Sequence, residues 1–228
     1  MKTGLPSVSI IIPTLNEAGR IASLLEDLCA QAPEEIVVAD GRSDDGTAEI
    51  ASRHARVVSC DANRGAQMNE GARVATGDVL LFLHADARLA PDALSVMRAA
   101  MADPKIAGGD FDIHFEGGDS AARLFTFVNR VRRRCGVFYG DSGIFCRREV
   151  FKALGGYRPY PVMEDYEFAR RLRKSGRLAL LDTPIHVSAR RWRKSSVIST
   201  TWNWISIHGL YYAGVSPYRL ARMYRNIR

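Results

Sequence analysis

Ile-Val-Val-Ala-Asp-Gly-Arg-Ser-Asp-Asp-Gly-Thr, residues 36–47, decides how the rest of the chain is read. Ile36 to Ala39 is an uninterrupted apolar run of the kind that a strand buried on both faces requires. It stops at an acid, Asp40. Ser43-Asp44-Asp45-Gly46-Thr47 then supplies turn and N-cap chemistry for a helix expected to reach Ala55. Strand, acid, turn and helix together describe one unit of an open parallel sheet, in which ligands bind beyond the carboxyl ends of the strands.

The same grammar extends in both directions. Val8 to Ile12 is a β-branched run closed by Pro13. Ile21, Leu24, Leu25 and Leu28 follow at helical spacing, with Pro33 beyond the end. A short strand around Val57-Val58, a helix from Ala66 to Ala75, the strand Val79 to Leu83 and a helix opened by Pro91 and running to about Met101 continue the alternation. Such alternation predicts a right-handed, mostly parallel α/β sheet. After Ile106 the pattern weakens. Asp110 to Phe115 alternates like an exposed strand and Gly117-Gly118 breaks it. From Ser120 to Arg134, Leu124, Phe125, Phe127, Val128 and Val131 predict a core-packed helix face, with Arg130, Arg132, Arg133 and Arg134 as its solvated end.

Acids recur where strands should end: Asp40, the Asp44-Asp45 pair, His84-Ala85-Asp86, and Glu164-Asp165 at the head of a later helix. Carboxylates gathered at one sheet edge suggest a metal and a phosphorylated substrate. With 228 residues, 46% hydrophobic and 25% charged, the chain can bury a substantial core. No apolar run reaches the roughly 20 residues of a spanning helix, and the start leads straight into a strand pattern, so a cytosolic protein is expected. Cys29, Cys60, Cys135 and Cys146 are scattered without Cys-x-x-Cys spacing, which fits free thiols. The net charge of +7 is polarised: residues 183–228 carry eight Lys or Arg and no acid, while the first 182 carry 24 basic and 25 acidic residues. A cationic end of this kind implies an anionic partner.

Val-Ser-Ile-Ile-Ile-Pro-Thr-Leu-Asn-Glu (8–17), residues 36–47, Gly-Asp-Val-Leu-Leu-Phe-Leu-His-Ala-Asp-Ala (77–87), Gly155-Gly156-Tyr157, Glu164 to Leu172 and Arg190-Arg191-Trp192 come in one order along about 190 residues. In that order and spacing they resemble a family-2 glycosyltransferase of the GT-A fold. The resemblance implies a Rossmann-like, mostly parallel sheet flanked by helices in residues 1–195. Residues 1–105 would form the nucleotide-sugar-binding half and 106–195 a mixed, acceptor-side catalytic half, with an aromatic and basic helical tail over 196–228.

The resemblance also assigns roles. Pro13, Thr14, Asn16 and Glu17 would surround the nucleoside, with Asp40 accepting from the base imide and Asp44 or Asp45 nearby. A turn role for Asn16 and an N-cap role for Asp44 and Asp45 compete with this. His84-Ala85-Asp86 stands at the family's Asp-x-Asp position. Asp86 would hold Mg²⁺ or Mn²⁺ with the pyrophosphate, and His84 would bind the metal, contact the donor or cap the strand. Two ligands at i and i+2 of a strand end face one side. Arg191 and Trp192 would approach the diphosphate, although Ser188 stands where the family carries Gln. Asp165 is the expected general base, Glu164 its neighbour in acceptor binding, and Asp141 and Ser142 are acceptor-side candidates. One base and no protein nucleophile imply inversion at the anomeric carbon. His186 and His208 are left out of the metal set.

In the tail, Trp202, Trp204, Ile205, Ile207, Leu210, Tyr211 and Tyr212 precede Arg219, Arg222 and Arg225. An anionic membrane surface, reached as a peripheral protein on the inner face, is one expected partner. Core packing or a homodimer contact is the alternative. The expected function is metal-dependent transfer from a nucleoside diphosphate sugar, UDP before GDP, to a hydroxyl acceptor that a lipid could carry. A sugar-nucleotide nucleotidyltransferase would need a Gly-rich basic loop after the first strand, where Pro13 to Glu17 stand. A nucleic-acid-binding protein would account for the charge, but its acidic strand ends would repel phosphate.

Overall fold

The computed structural model describes residues 4–116, 120–134, 137–187 and 197–225. Its elements in chain order are β1 (Val8–Thr14), α1 (Ala18–Cys29), β2 (Glu35–Asp40), α2 (Thr47–Ala51), β3 (Arg56–Ser59), α3 (Arg64–Val74), β4 (Val79–Phe82), β5 (Ala87–Leu89), α4 (Ala93–Met101), β6 (Ile106–Phe115), α5 (Ser120–Arg134), a 3-10 turn (Gly140–Ser142), β7 (Phe145–Arg147), α6 (Arg148–Ala153), α7 (Glu164–Ser175), β8 (Arg177–Val187), α8 (Val197–Tyr212) and α9 (Pro217–Arg225).

One eight-stranded sheet runs β3-β2-β1-β4-β7-β6-β8-β5. The first four strands are mutually parallel. Beyond β4 the sheet is mixed: β7 is antiparallel to both neighbours, β6 and β8 are parallel, and β5 closes the edge antiparallel to β8. The expected parallel first half and mixed second half are both present.

Strand alternation sorts the central residues onto two faces. Ile10, Ile12, Val38, Leu81 and Leu83 join α1 and α4 in one core; Ile11, Val37, Leu80 and Phe82 join α3, α6 and α7 in the other. Each fully buried Ile or Leu contributes about 1.5–3 kcal/mol relative to exposure, so β1, β2 and β4 are anchored from both sides. Gly71 lets α3 lie directly on β1, since a Cβ there would collide with Ile11.

Three expectations are corrected. β6 is not an exposed strand: Asp110 and Asp112 are buried, the first tied to Arg133 and the second to Arg130 and His114. Their charges are neutralised by side chains from α5, which allows an alternating pattern to sit inside. On α5 the expected polarity is inverted, because Arg133 is buried against Asp110 while Leu124, Phe127, Val128 and Val131 are exposed. The helix had to turn its arginine inward to meet the strand's acid. α2 ends at Ala51, four residues short of Ala55. Among the described residues, no helix is long and apolar enough to cross a membrane.

Candidate active site

The carboxyl ends of β1 and β2 lie side by side, with Thr14 paired to Asp40. Asp40 is buried, and both its oxygens are engaged: Oδ1 accepts from the Thr14 and Ser43 hydroxyls at 3.0 and 2.6 Å, and Oδ2 from the Ser43 N–H at 2.8 Å. The acid that ends this strand therefore folds the loop after it. Gln67 of α3 completes the join, donating from Nε2 to the carbonyls of Thr14 and Ala39 at 2.8 and 2.9 Å.

The neighbouring loops are braced in the same way. Asn16, in the left-handed region at φ 56°, accepts from the Asp44 N–H. Asp45 accepts from the Ala18 N–H, the Thr47 N–H and the Thr47 hydroxyl, so it ties the starts of α1 and α2 together. Thr47 first, then Ala18, hold its carboxyl below the usual range. Glu17 lies partly buried beside this loop. Its carboxyl is pushed up by burial, with Asp86 and Asp45 adding to the effect and Arg20 opposing it.

His84 and Asp86 sit beyond the tip of β4 on a turn closed by the Ala87 N–H to the His84 carbonyl, not on the strand itself. Strand alternation therefore does not decide their directions. His84 is buried, with Nδ1 2.9 Å from Asp141 Oδ1, while Nε2 is buried without a hydrogen-bond partner among the described residues. Asp86 is half-buried on the Glu17 side. Among the described residues, no three His, Cys, Asp or Glu side chains converge into a complete metal cage. An orphaned imidazole nitrogen and one carboxylate on a single turn fit a cation that takes the remainder of its shell from phosphate oxygens and water.

Glu164 and Asp165 open α7. Met163, left-handed at φ 66°, precedes them and accepts at its carbonyl from the Glu167 N–H. Asp165 is oriented by two backbone donors, the Tyr166 N–H to Oδ1 at 2.6 Å and the Gly140 N–H to Oδ2 at 2.8 Å. Glu164 is buried, with Oε1 accepting from Arg64 at 3.1 Å. Burial pushes its carboxyl up, the adjacent Asp165 adds to that, and Arg64 pulls against both.

Both acids line a cavity of about 440 Å³. Its walls are largely apolar, with Leu15, Ile113, Phe115, Val162 and Met163 among them. Arg64, Arg132 and Asp141 supply charge, and Ile207 and His208 of α8 with Ala221 of α9 complete it. The tail is fastened at this point: Tyr139 stacks on Tyr166, their ring centroids 5.5 Å apart, and its hydroxyl meets His208 Nε2 at 2.5 Å. Tyr166 and Tyr212 also share a hydrogen bond. Arg132 lies over the Tyr139 ring, 4.1 Å from its centroid.

Residues 9–155 match the family model described as glycosyl transferase family 2. The chain belongs to that family. A PGL/p-HBAD biosynthesis glycosyltransferase of Mycobacterium bovis is 30% identical to this family-2 enzyme in a 215-position alignment that covers 86% of this chain and 80% of the relative. Among solved structures, the mannosyltransferase PcManGT of Pyrobaculum calidifontis, in complex with GDP-Man and Mn²⁺, superposes with a TM-score of 0.63 at 22% identity. That match covers 81% of this transferase but 57% of PcManGT, little more than half its length. Glucosyl-3-phosphoglycerate synthase of Mycobacterium tuberculosis, in complex with Mn²⁺, UDP and glucosyl-3-phosphoglycerate, gives 0.58 at 20% identity over 78% of this chain and 70% of its own. These likenesses show the GT-A fold.

Within the transferase, the structure gathers Pro13, Thr14, Asn16, Glu17, Asp40, Asp44 and Asp45 at one sheet edge, and brings Asp141, Glu164 and Asp165 to one cavity. Ser142 is turned away: it is buried, and its hydroxyl donates to the Tyr139 carbonyl, a turn role that keeps it off the cavity wall. Arg191 and Trp192 lie outside the described residues. Sequence reasoning missed Arg64, Tyr139 and the cavity role of Arg132. Nothing local marks Arg64, whose partner is 100 residues away.

Proposed function

We propose that this enzyme is a metal-dependent, inverting glycosyltransferase that moves a sugar from a nucleoside diphosphate, UDP before GDP, to an acceptor hydroxyl. The observation that carries it is Asp165: a carboxylate aimed by two backbone N–H groups at the wall of a cavity that also reaches the loop after β1. Asp165 removes the acceptor proton as the hydroxyl attacks the anomeric carbon, and Glu164, held by Arg64, steadies the acceptor beside it. No protein nucleophile is needed, and one displacement inverts the centre.

Asp86 would hold Mn²⁺ or Mg²⁺, with His84 as the second candidate ligand. When bound, the cation neutralises charge on the departing diphosphate. Pro13, Thr14, Asn16 and Glu17 grip the nucleoside, with Asp40, Asp44 and Asp45 shaping that wall, and the family resemblance assigns Arg191 and Trp192 to the diphosphate. Calorimetric titration with UDP- and GDP-sugars is expected to show binding that Mn²⁺ strengthens and that Asp86→Ala abolishes. Metal-independent binding of equal strength in both proteins would remove the metal from the reading.

The apolar cavity walls support an acceptor carried on a lipid. Exposed Leu124 and Phe127 of α5 and Trp202 and Ile205 of α8 belong to helices that line the cavity, and Arg219 and Arg222 are exposed on α9. Each basic residue near an anionic membrane adds about 1 kcal/mol. Sedimentation with anionic vesicles at low salt is the expected behaviour, reversed at high salt; a protein left in the supernatant at low salt has no such surface.

A further inference from the structure

We infer that Asp141 serves the cation and not the acceptor. It fixes the His84 imidazole with its Nε2 lone pair free for the metal, so that the chain grips its ion through one nitrogen and one carboxylate and favours Mn²⁺ over Mg²⁺. This rests on the metal-dependent reading above and deepens it.

A carboxylate only accepts hydrogen bonds, so at 2.9 Å from Asp141 Oδ1 the His84 Nδ1 carries the proton. In the neutral ring Nε2 is then a bare acceptor. It is buried and has no partner among the described residues, in a side chain only 9% exposed. Leaving such a group unsatisfied costs about 1–3 kcal/mol. A metal ion would satisfy it, and an imidazole whose other nitrogen is held by a carboxylate is the usual form of a histidine ligand.

Gly140 supplies a second, independent observation. Its backbone is not in the left-handed region, so no turn requires glycine there. A Cβ at this position would lie 2.9 Å from His84 Nε2 and 3.1 Å from Asp165 Oδ2. Glycine thus spares the orphaned nitrogen and the Asp165 carboxylate a Cβ crowded between them. The same short turn holds the imidazole through Asp141 and the proposed base through the Gly140 N–H. Magnesium, a hard cation, takes oxygen ligands, whereas transition-metal ions accept imidazole, which sets the direction of the preference.

Electron spin-echo spectroscopy of the full chain with Mn²⁺ and UDP, and with GDP in parallel, tests this directly. The expected result is modulation from a coordinated imidazole nitrogen, absent in His84→Asp. That variant is also expected to lose the Mn²⁺ preference in competition with Mg²⁺. Asp141→Ala should weaken Mn²⁺ binding about 10- to 100-fold, with Asn at that position recovering part of it. Gly140→Ala, which alters neither proposed ligand nor Asp141, should lose the nitrogen signal, with thermal melts by circular dichroism confirming the fold of each variant. If Asp86→Ala abolishes Mn²⁺-nucleotide binding but the parent complex shows no nitrogen coupling, or Asp141→Ala binds Mn²⁺ as the parent does, the inference falls and the metal-dependent reading stands. If the parent binds no Mn²⁺-nucleotide, both fall.

Discussion

Asp165→Asn is expected to bind the donor sugar nucleotide as the parent does and to turn it over about 10²–10⁴-fold more slowly, the range that a positioned general base supplies. The amide keeps the size of the carboxylate and cannot take a proton. It is not silent, because the two carboxylate oxygens each accept a backbone N–H, from Tyr166 and from Gly140. An amide offers one oxygen and must turn its own N–H₂ toward the other donor, at a local cost of about 1 kcal/mol. A melting curve accounts for that cost, and kcat measured with saturating donor isolates the lost proton transfer. A loss confined to kcat with donor affinity intact assigns Asp165 to the chemical step. Normal turnover would move the base elsewhere, with Glu164 the next carboxylate to test.

The second large effect is structural. Arg133→Ala removes the cation that donates to Asp110 Oδ1 at 2.8 Å and to the carbonyls of Asp110 and Leu181 at 2.9 and 2.8 Å, all inside the core between α5, β6 and β8. Breaking one side of a buried pair costs about 3–5 kcal/mol, because the remaining charge has neither partner nor water. For a chain of this size that lowers the melting point by roughly 6–20 °C.

The cost should depend on pH in a defined direction. Burial pushes the Asp110 carboxyl up from 3.8 to about 6 despite Arg133, so the folded state holds this proton better than the unfolded chain does. Stability from the site is therefore complete below 3.8 and is lost as pH rises to about 6. Without Arg133 the carboxyl rises further and the loss continues above 6. Urea melts at pH 5 and pH 8 should show the larger deficit at pH 8. Arg133→Met combined with Asp110→Asn should recover much of the loss, since neither buried charge is then left alone. A single variant within 1 kcal/mol of the parent at pH 8 would mean that the pair does not hold α5 in place.

How much of this was legible follows from what a linear pattern can carry. β1, β2 and β4 are buried on both faces, so they appear as contiguous apolar runs, and the acids at or after their ends are visible as interruptions. The Asp165 position was equally readable, since it opens an amphipathic helix. α5 was misread because hydrophobic spacing cannot register that a strand 23 residues earlier carries a buried acid needing Arg133. Arg64 and Tyr139 escaped for a similar reason: the partner of Arg64 lies 100 residues away, and those of Tyr139 lie 69 and 27 away. Asp40 shows the opposite limit. Its place at a strand end pointed to a ligand contact, whereas its hydrogen bonds give it work in shaping a loop as well.

The fastening of α8 and α9 at the Tyr139 and Tyr166 stack divides labour along the chain. Ile207, His208 and Ala221 of the carboxyl-terminal helices join the cavity lining, while the proposed nucleoside and metal residues, Pro13 to Asp86, all precede α4. On the proposed reading, substitutions confined to the carboxyl-terminal helices would retune which molecule is glycosylated without disturbing the grip on the activated sugar, and the two specificities would be free to diverge separately.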